Sequence, residues 1–320
     1  MSFIIGVDIG GTYIKTAILN NKGDTISKTQ TETGNKKTPS DVIQRTTMSI
    51  ETIIQNNNIK KKNIIGIGVG CPGQLSSVTG IVESSPNMKN WKKVPLRQTL
   101  SGNLSLPVEI FNDANAAAWG EFWLGAGRKT STFILYTLGT GIGGGIILNR
   151  QLYTGIDECA GELGHTTVIL DGPKCGCGNH GCIETLASAS RLVKIVQDKI
   201  KNGVKTTLKK DYTSNTLSAK SIYLAAKKGD PFAKEMLSNT GRYLGIAAAS
   251  IINTLNPEVI AYGGGLSNAG NLLFSSLRSE AKKRSLAVPF NRVKIVKASL
   301  GNDAGFLGAA GLFLDKHRNQ

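Results

Sequence analysis

Two short apolar runs in this chain end on glycine and restart at once as further apolar runs. One is Val7-Asp8-Ile9-Gly10-Gly11-Thr12; its echo is Tyr136-Thr137-Leu138-Gly139-Thr140-Gly141, continuing into Ile142-Gly143-Gly144-Gly145. A glycine inside a strand costs up to about 1 kcal/mol relative to alanine, so such a cluster is retained where the backbone must turn sharply or let another group come close. Gly10 and Gly11 leave their N–H groups open to anionic oxygens, Thr12 adds a hydroxyl, and Asp8 at the strand end is placed to hold Mg²⁺ directly or through water. Two such turns facing one another would hold opposite ends of a polyphosphate. Neither is a familiar phosphate loop: the chain has no G-x-x-x-x-G-K-[ST], and Gly10-Gly11 leads into a strand and not a helix. A third turn, Ala261-Tyr262-Gly263-Gly264-Gly265, ends another apolar run before a helical stretch, where it could pass beside a nucleotide's sugar and base.

Around these turns strands alternate with helices, which makes the class α/β. Phe3 to Asp8, Thr12 to Leu19 and Thr25 to Thr33 read as a meander. A helix opens at Pro39-Ser40-Asp41, Ile64 to Val69 is a buried-type strand, and Pro107 to Phe111 runs straight into Asn112-Asp113 and an alanine-rich helix. The pattern restarts after Gly125-Ala126-Gly127, so a linker or hinge is expected over Gly120 to Gly127, and 320 residues suit two domains. Long helices are expected over Glu184 to Lys201, Ser218 to Lys228, Pro231 to Leu255 and about Asp303 to His317.

No run approaches the roughly 18 apolar residues of a membrane span, and no basic leader with a cleavage site opens the chain, so a cytoplasmic protein without a membrane partner is expected. The balance of 38 Lys+Arg against 22 Asp+Glu leaves +16. Its lysines stand beside Asn, Thr and Ser and not beside aromatic rings that would stack on bases, which argues for a solvated basic face and against specific nucleic-acid binding.

Three of the five cysteines lie within eight residues. His165, Cys175, Cys177 and Cys182 give H-x9-C-x-C-x4-C with glycines interleaved, a donor set suited to a closed, structural Zn²⁺ site, with free or disulfide-paired thiols as the alternative. His180 is a competing imidazole inside the same loop. Cys71 and Cys159 stand apart and read as small buried residues.

Taken together, Asp8-Ile9-Gly10-Gly11-Thr12, Asn112-Asp113, the Leu138 to Gly145 run, Gly161-Glu162-Leu163-Gly164-His165 and Cys175-Gly176-Cys177-Gly178-Asn179-His180-Gly181-Cys182-Ile183-Glu184 resemble the ROK family (repressors, open reading frames, kinases), most of all its bacterial glucokinases. The resemblance covers essentially the whole chain. It implies the actin-like, hexokinase-like ATPase fold: a smaller domain of residues 1–120 joined by the C-terminal helix 303–320, and a larger domain of 121–302 carrying the zinc loop, closing over a cleft. It implies transfer of the ATP γ-phosphoryl group to a hexose 6-hydroxyl, with Asp113 as general base. Gly73, Asn87, Asn112, Glu162, His165 and Glu184 match sugar contacts, His165 doubling as a zinc ligand. Gly10, Gly11, Thr12, Thr140, Gly141, Gly264 and Gly265 fall where the family binds ATP, and homodimers or homotetramers are usual.

Within that family glucose is the expected sugar; N-acetylmannosamine, N-acetylglucosamine, fructose and allose are the neighbouring choices, mannose a side substrate, and polyphosphate a less favoured donor than ATP. Family repressors place a DNA-binding segment before the phosphate turn, whereas Asp8 stands eighth in this sequence, so a kinase is expected rather than a regulator.

Overall fold

The computed structural model describes residues 2–85 and 88–318. Two compact units divide the chain: one takes residues up to 129, 145–161 and from 300 onward, the other 130–144 and 162–299.

The first unit opens with β1 (Phe3–Ile9), β2 (Tyr13–Asn20) and β3 (Thr25–Glu32), followed by α1 (Pro39–Asn56), β4 (Ile64–Cys71), the short strands β5 (Gln74–Ser76), β6 (Ile81–Ser84) and β7 (Lys92–Val94), α2 (Leu96–Leu104), β8 (Val108–Asn112) and α3 (Asp113–Leu124). Its main sheet has the order β3-β2-β1-β4-β8, the first three antiparallel as expected and β1, β4 and β8 parallel. Side chains alternate across a strand. Ile5, Val7, Ile67, Val69 and Ile110 accordingly share one core with Val42, Ile50 and Leu100 of the helices on that face.

On the other face β1 and β4 present glycine. A Cβ on Gly6 or Gly68 would run into the backbone carbonyl of Phe306 or Ala309. The buried C-terminal helix α11 (Ala304–Arg318) therefore lies directly on the sheet. It also grips α3, where a Cβ on Gly308 would collide with the carbonyl of Ala116 and stand 2.7 Å from the nitrogen of Gly120. Backbone cannot yield as a side-chain tip can, so Gly308→Ala is expected to cost about 1–3 kcal/mol in chemical denaturation, the usual penalty of overpacking.

The second unit begins with β9 (Phe133–Leu138) and the start of β10 (Ile142–Leu148), whose residues from 145 on, with β11 (Gln151–Leu152) paired to it, count with the first unit. Then come α4 (Glu184–Ala187), α5 (Ala189–Lys201), α6 (Lys209–Thr213), α7 (Ala219–Lys227), α8 (Pro231–Leu255), β12 (Val259–Gly263), α9 (Asn271–Arg284), α10 (Ala287–Arg292) and β13 (Lys294–Lys297). β12 lies parallel between β9 and β13. The single helix expected over Glu184 to Lys201 is two: Ser188 adopts an extended backbone and its hydroxyl caps α5 by accepting from the Arg191 N–H. Ser competes for backbone donors in this way, which is why it starts helices more readily than it continues them. In α8, Ala247, Ala248, Ala249 and Ile252 are buried, so the apolar stretch there is mainly core. Among the described residues no helix is long and apolar enough to cross a membrane.

Candidate active site

In the first unit three parallel strands end side by side, with Asp8 opposite Gly70 and Cys71 opposite Asn112. Ligands of open α/β sheets bind outside such carboxyl ends. Past β1 the Gly10 N–H donates to the Tyr13 carbonyl at 2.9 Å, closing the turn, and the Thr33 hydroxyl donates to the Gly10 carbonyl at 2.6 Å. Gly11 has nothing within 4 Å of where a Cβ would stand, leaving its backbone open to an anion. Asp8 lies against the first turn of α11, where a Cβ on Gly305 would approach its Cγ to 2.7 Å. Burial pushes the Asp8 carboxyl above its usual range, and the charge of Lys15, whose Nζ donates to Oδ2 at 3.4 Å, draws it partway back.

Asn112 and Asp113 divide two tasks that a single residue at a helix start commonly combines. The Asn112 side chain caps α3, its Oδ1 accepting from the N–H groups of Ala114 at 2.9 Å and Asn115 at 3.1 Å. Its Nδ2 donates to the Gly73 carbonyl at 3.3 Å, and Gly73 has φ +110° with a Cβ position blocked by Ser84 backbone. Asp113, the first helical residue, is half-buried, and its Oδ1 accepts from Ala114 N–H at 2.8 Å. Beside it Cys71 is completely buried; burial first, then the charges of Asp113 and Asp8, push its thiol up, so it stays neutral. Asn87 lies outside the described residues.

In the second unit the glycine turn after β9 is closed by Gly139 N–H donating to the Gly141 carbonyl at 3.0 Å. Glu184 packs on this turn: its Oε2 accepts from Ile142 N–H at 2.8 Å and occupies the space where a Gly141 Cβ would stand. Thr140 is exposed. Because Gly263 pairs with Thr137, the turn after β12 falls beside the turn after β9; Gly264, at φ +81°, has Leu138 backbone against its Cβ position, and Gly265 is open. Glu162 sits just before a short 3-10 turn ending at His165, with Glu162 Oε2 and His165 Nε2 3.9 Å apart.

His165, Cys175, Cys177 and Cys182 bring their ligand atoms within 4.8 Å of one another. His165 Nδ1 is 3.5 Å from the Cys175 sulfur, and the Cys177 and Cys182 sulfurs are 3.7 Å apart. A tetrahedral ion with bonds of about 2.3 Å sets its sulfurs about 3.8 Å from one another, so the donors fit a zinc-sized cation. His180 is not in the cluster; it points the competition to His165 by lying in an exposed bridge with Lys174. Burial pushes the Cys182 thiol up to about 12 and raises Cys175, while the N–H of Asn179 lowers Cys177.

The expectation for Cys71 as a small buried residue holds, whereas Cys159 is exposed. It lies in an irregular loop where its thiol meets the Asp157 carbonyl at 3.2 Å. Two residues not singled out by sequence matter here, Lys15 beside Asp8 and Glu121 on the helix that begins with Asp113. Lys15 could have been found by counting the hairpin register that sets it opposite Asp8. Glu121, buried at the far end of α3, carries no local signal at all.

The ROK family model, described as "ROK family", matches residues 4–316. The chain is 37% identical over 310 residues to a glucokinase of Halalkalibacterium halodurans, covering 96% of this chain and 94% of that protein. It is 34% identical to a xylose repressor of Caldicellulosiruptor bescii, covering 97% of this chain and 78% of the repressor. Among solved structures it superposes on a ROK family glucokinase from Streptomyces griseus in complex with glucose and AMPPNP, with TM-score 0.83, 32% identity, and coverage of 97% of this chain and 99% of that one.

Proposed function

The chain belongs to the ROK family, and from that premise we infer that it is an ATP-dependent glucokinase that moves the terminal phosphoryl group of ATP to the 6-hydroxyl of glucose. Its fold is the two-domain hexokinase-like ATPase fold. The observation that carries the chemistry is the division of labour at the start of α3: with Asn112 doing the capping, Asp113 is placed where β1, β4 and β8 end and serves as base. Its carboxylate takes the hydroxyl proton as the sugar oxygen forms its bond to the γ-phosphorus and the bond to the β-phosphate oxygen breaks, releasing ADP.

Asn112, Gly73, Asn87, Glu162, His165 and Glu184 hold the other hydroxyls. Carboxylates and amides supply the donors and acceptors a hexose needs, and a site built to bond a hydroxyl rejects an analogue lacking it by about 10⁴–10⁵. The glycine turns at Gly10, Gly11, Gly141, Gly264 and Gly265, open at Gly11 and Gly265 while the Gly10 N–H is spent on closing its own turn, receive ATP together with the hydroxyls of Thr12 and Thr140. Asp8 would hold Mg²⁺, a role its strand-end carboxylate fits; bound there the ion would neutralise charge on the phosphates. The Cys₃His cluster would hold a structural Zn²⁺, supported by the convergence and spacing of its ligand atoms. Thiols kept free for metal suit a reducing, cytoplasmic setting. The assembly is a homodimer or homotetramer on the family's habit.

An ADP-release assay over glucose, mannose, fructose, allose and the N-acetylated amino sugars, with ATP and separately with polyphosphate, tests the reading. The highest kcat/KM is expected for glucose with ATP. A higher value for an amino sugar or fructose, or for polyphosphate, would replace the substrate assignment. The similarity to a repressor keeps a sugar-responsive regulator as the second reading, and sequence-specific DNA binding released by sugar in a gel-shift experiment would favour it.

A further inference from the structure

The chain passes between its two units four times, after residues 129, 144, 161 and 299. The first and last of these passages start from one side chain. Glu121, in the last turns of α3, is completely buried. Its Oε2 accepts the Ala126 N–H at 2.9 Å, on the segment leading out of the first unit, and its Oε1 accepts the Leu300 N–H at 2.7 Å, where the chain returns. Its backbone carbonyl accepts two more donors on the outgoing segment, the N–H groups of Gly125 at 3.0 Å and Gly127 at 2.8 Å. The second passage also borders this helix, since a Cβ on Gly145 would meet the side chain of Ala118 and stand 3.3 Å from the Ala114 carbonyl.

α3 is itself held rigidly. Gly120 and Gly308 let it lie backbone to backbone on α11, and Asn112 caps its start. Asp113 at one end and Glu121 at the other therefore belong to one stiff body, about 12 Å apart at 1.5 Å per residue. We propose that Glu121 is a positioning residue for phosphoryl transfer: one carboxylate fastens the outgoing and returning segments to the helix that begins with Asp113, so that these two segments and the base share one frame. This rests on the kinase reading above. A bidentate acceptor is needed for it. Glutamine keeps one oxygen but turns an NH₂ group toward the other N–H, donor against donor, and alanine removes both bonds.

The proposal is tested on two independent scales. Hydrogen exchange read amide by amide is expected to give Ala126 and Leu300 the same opening free energy in the wild-type protein, because one group holds both, and to lose protection at both in Glu121→Gln and Glu121→Ala while the amides of β1, β4, β9 and β12 keep theirs. Steady-state kinetics of Glu121→Gln is expected to show kcat lower by about 10-fold or more with KM for ATP within about twofold, since a displacement near 1 Å can cost up to about 10²-fold in rate. A merely structural role would lower the unfolding temperature and leave kcat of the folded enzyme unchanged, which overturns the proposal. So does wild-type exchange in which the two amides open with different free energies. If instead the wild-type protein phosphorylates no sugar, the kinase reading fails while the exchange result still decides whether Glu121 ties the two segments together.

Discussion

Asp113→Asn is expected to lower turnover by about 10²- to 10⁴-fold, the contribution of a positioned base, while glucose affinity stays within a few-fold and the unfolding midpoint is unchanged. The structure makes this substitution unusually clean. An aspartate at a helix start is ordinarily a cap, and losing a cap costs about 1 kcal/mol. Here the cap is Asn112, which accepts from both Ala114 and Asn115, so removing the charge at Asp113 leaves the helix start intact. The amide oxygen of asparagine can still accept the Ala114 N–H that Asp113 Oδ1 accepts now. Asn112→Ala is the contrasting variant: it takes the partner from the Asn115 N–H, leaves the Ala114 N–H to Asp113 alone, drops the contact to the Gly73 carbonyl, and is expected to lose stability as well as sugar binding. Isothermal titration with glucose and single-turnover ADP release on the same preparation separate the two. Near-normal turnover in Asp113→Asn would remove the base from the mechanism.

Removing the metal is expected to have the second largest effect. Purified protein should carry one zinc per chain by elemental analysis, and Cys182→Ser should carry none. Cys182 is fully buried, and burial pushes its thiol up to about 12, so a cation held beside it would favour the thiolate that binds metal. Its loop leads directly to Glu184, which is proposed to hold sugar hydroxyls: Ile183 N–H donates to the Thr166 carbonyl at 2.9 Å, and Glu184 follows with its carboxylate on Ile142 N–H. Loss of the ion should therefore loosen Glu184 and His165 together. Turnover on the order of 10- to 100-fold lower is expected, the scale on which losing a supporting contact at a metal site acts, along with protease cutting between residues 166 and 182. Cys182→Ser is preferred to a His165 variant because His165 is also assigned to the sugar. Metal-free protein with unchanged turnover and unchanged resistance to protease would show that the cluster is four ordinary side chains.

The parts of the site that were legible in the sequence are those in which neighbours along the chain make the chemistry. Gly10-Gly11 and Gly264-Gly265 announce tight backbone turns because few other residues tolerate them, and Cys175-x-Cys177 announces a cluster of candidate metal ligands because thiols so close have few other uses. The division between Asn112 and Asp113 was not legible: either side chain can cap a helix, and only the geometry of Ala114 and Asn115 N–H groups assigns the task. Spacing picked His165 as the fourth ligand but left His180 as a competitor, since both imidazoles lie within reach of the thiols along the chain, and the geometry groups His165 with them. Ser188 was absorbed into one long helix because the apolar period runs on through it, while its hydroxyl in fact ends that period and starts another.

From its residues alone this protein is an α/β chain with paired glycine turns, a cysteine–histidine loop and an aspartate between a strand and a helix, because backbone freedom, metal preference and helix starts are local properties. Tertiary structure alone decided that Gly6, Gly68 and Gly308 make room for α11, and that Glu121 binds residues 126 and 300 with one carboxylate. Those contacts join residues up to some 300 positions apart, and nothing in the order of a chain states which distant backbone will come to lie against a missing Cβ or a buried oxygen.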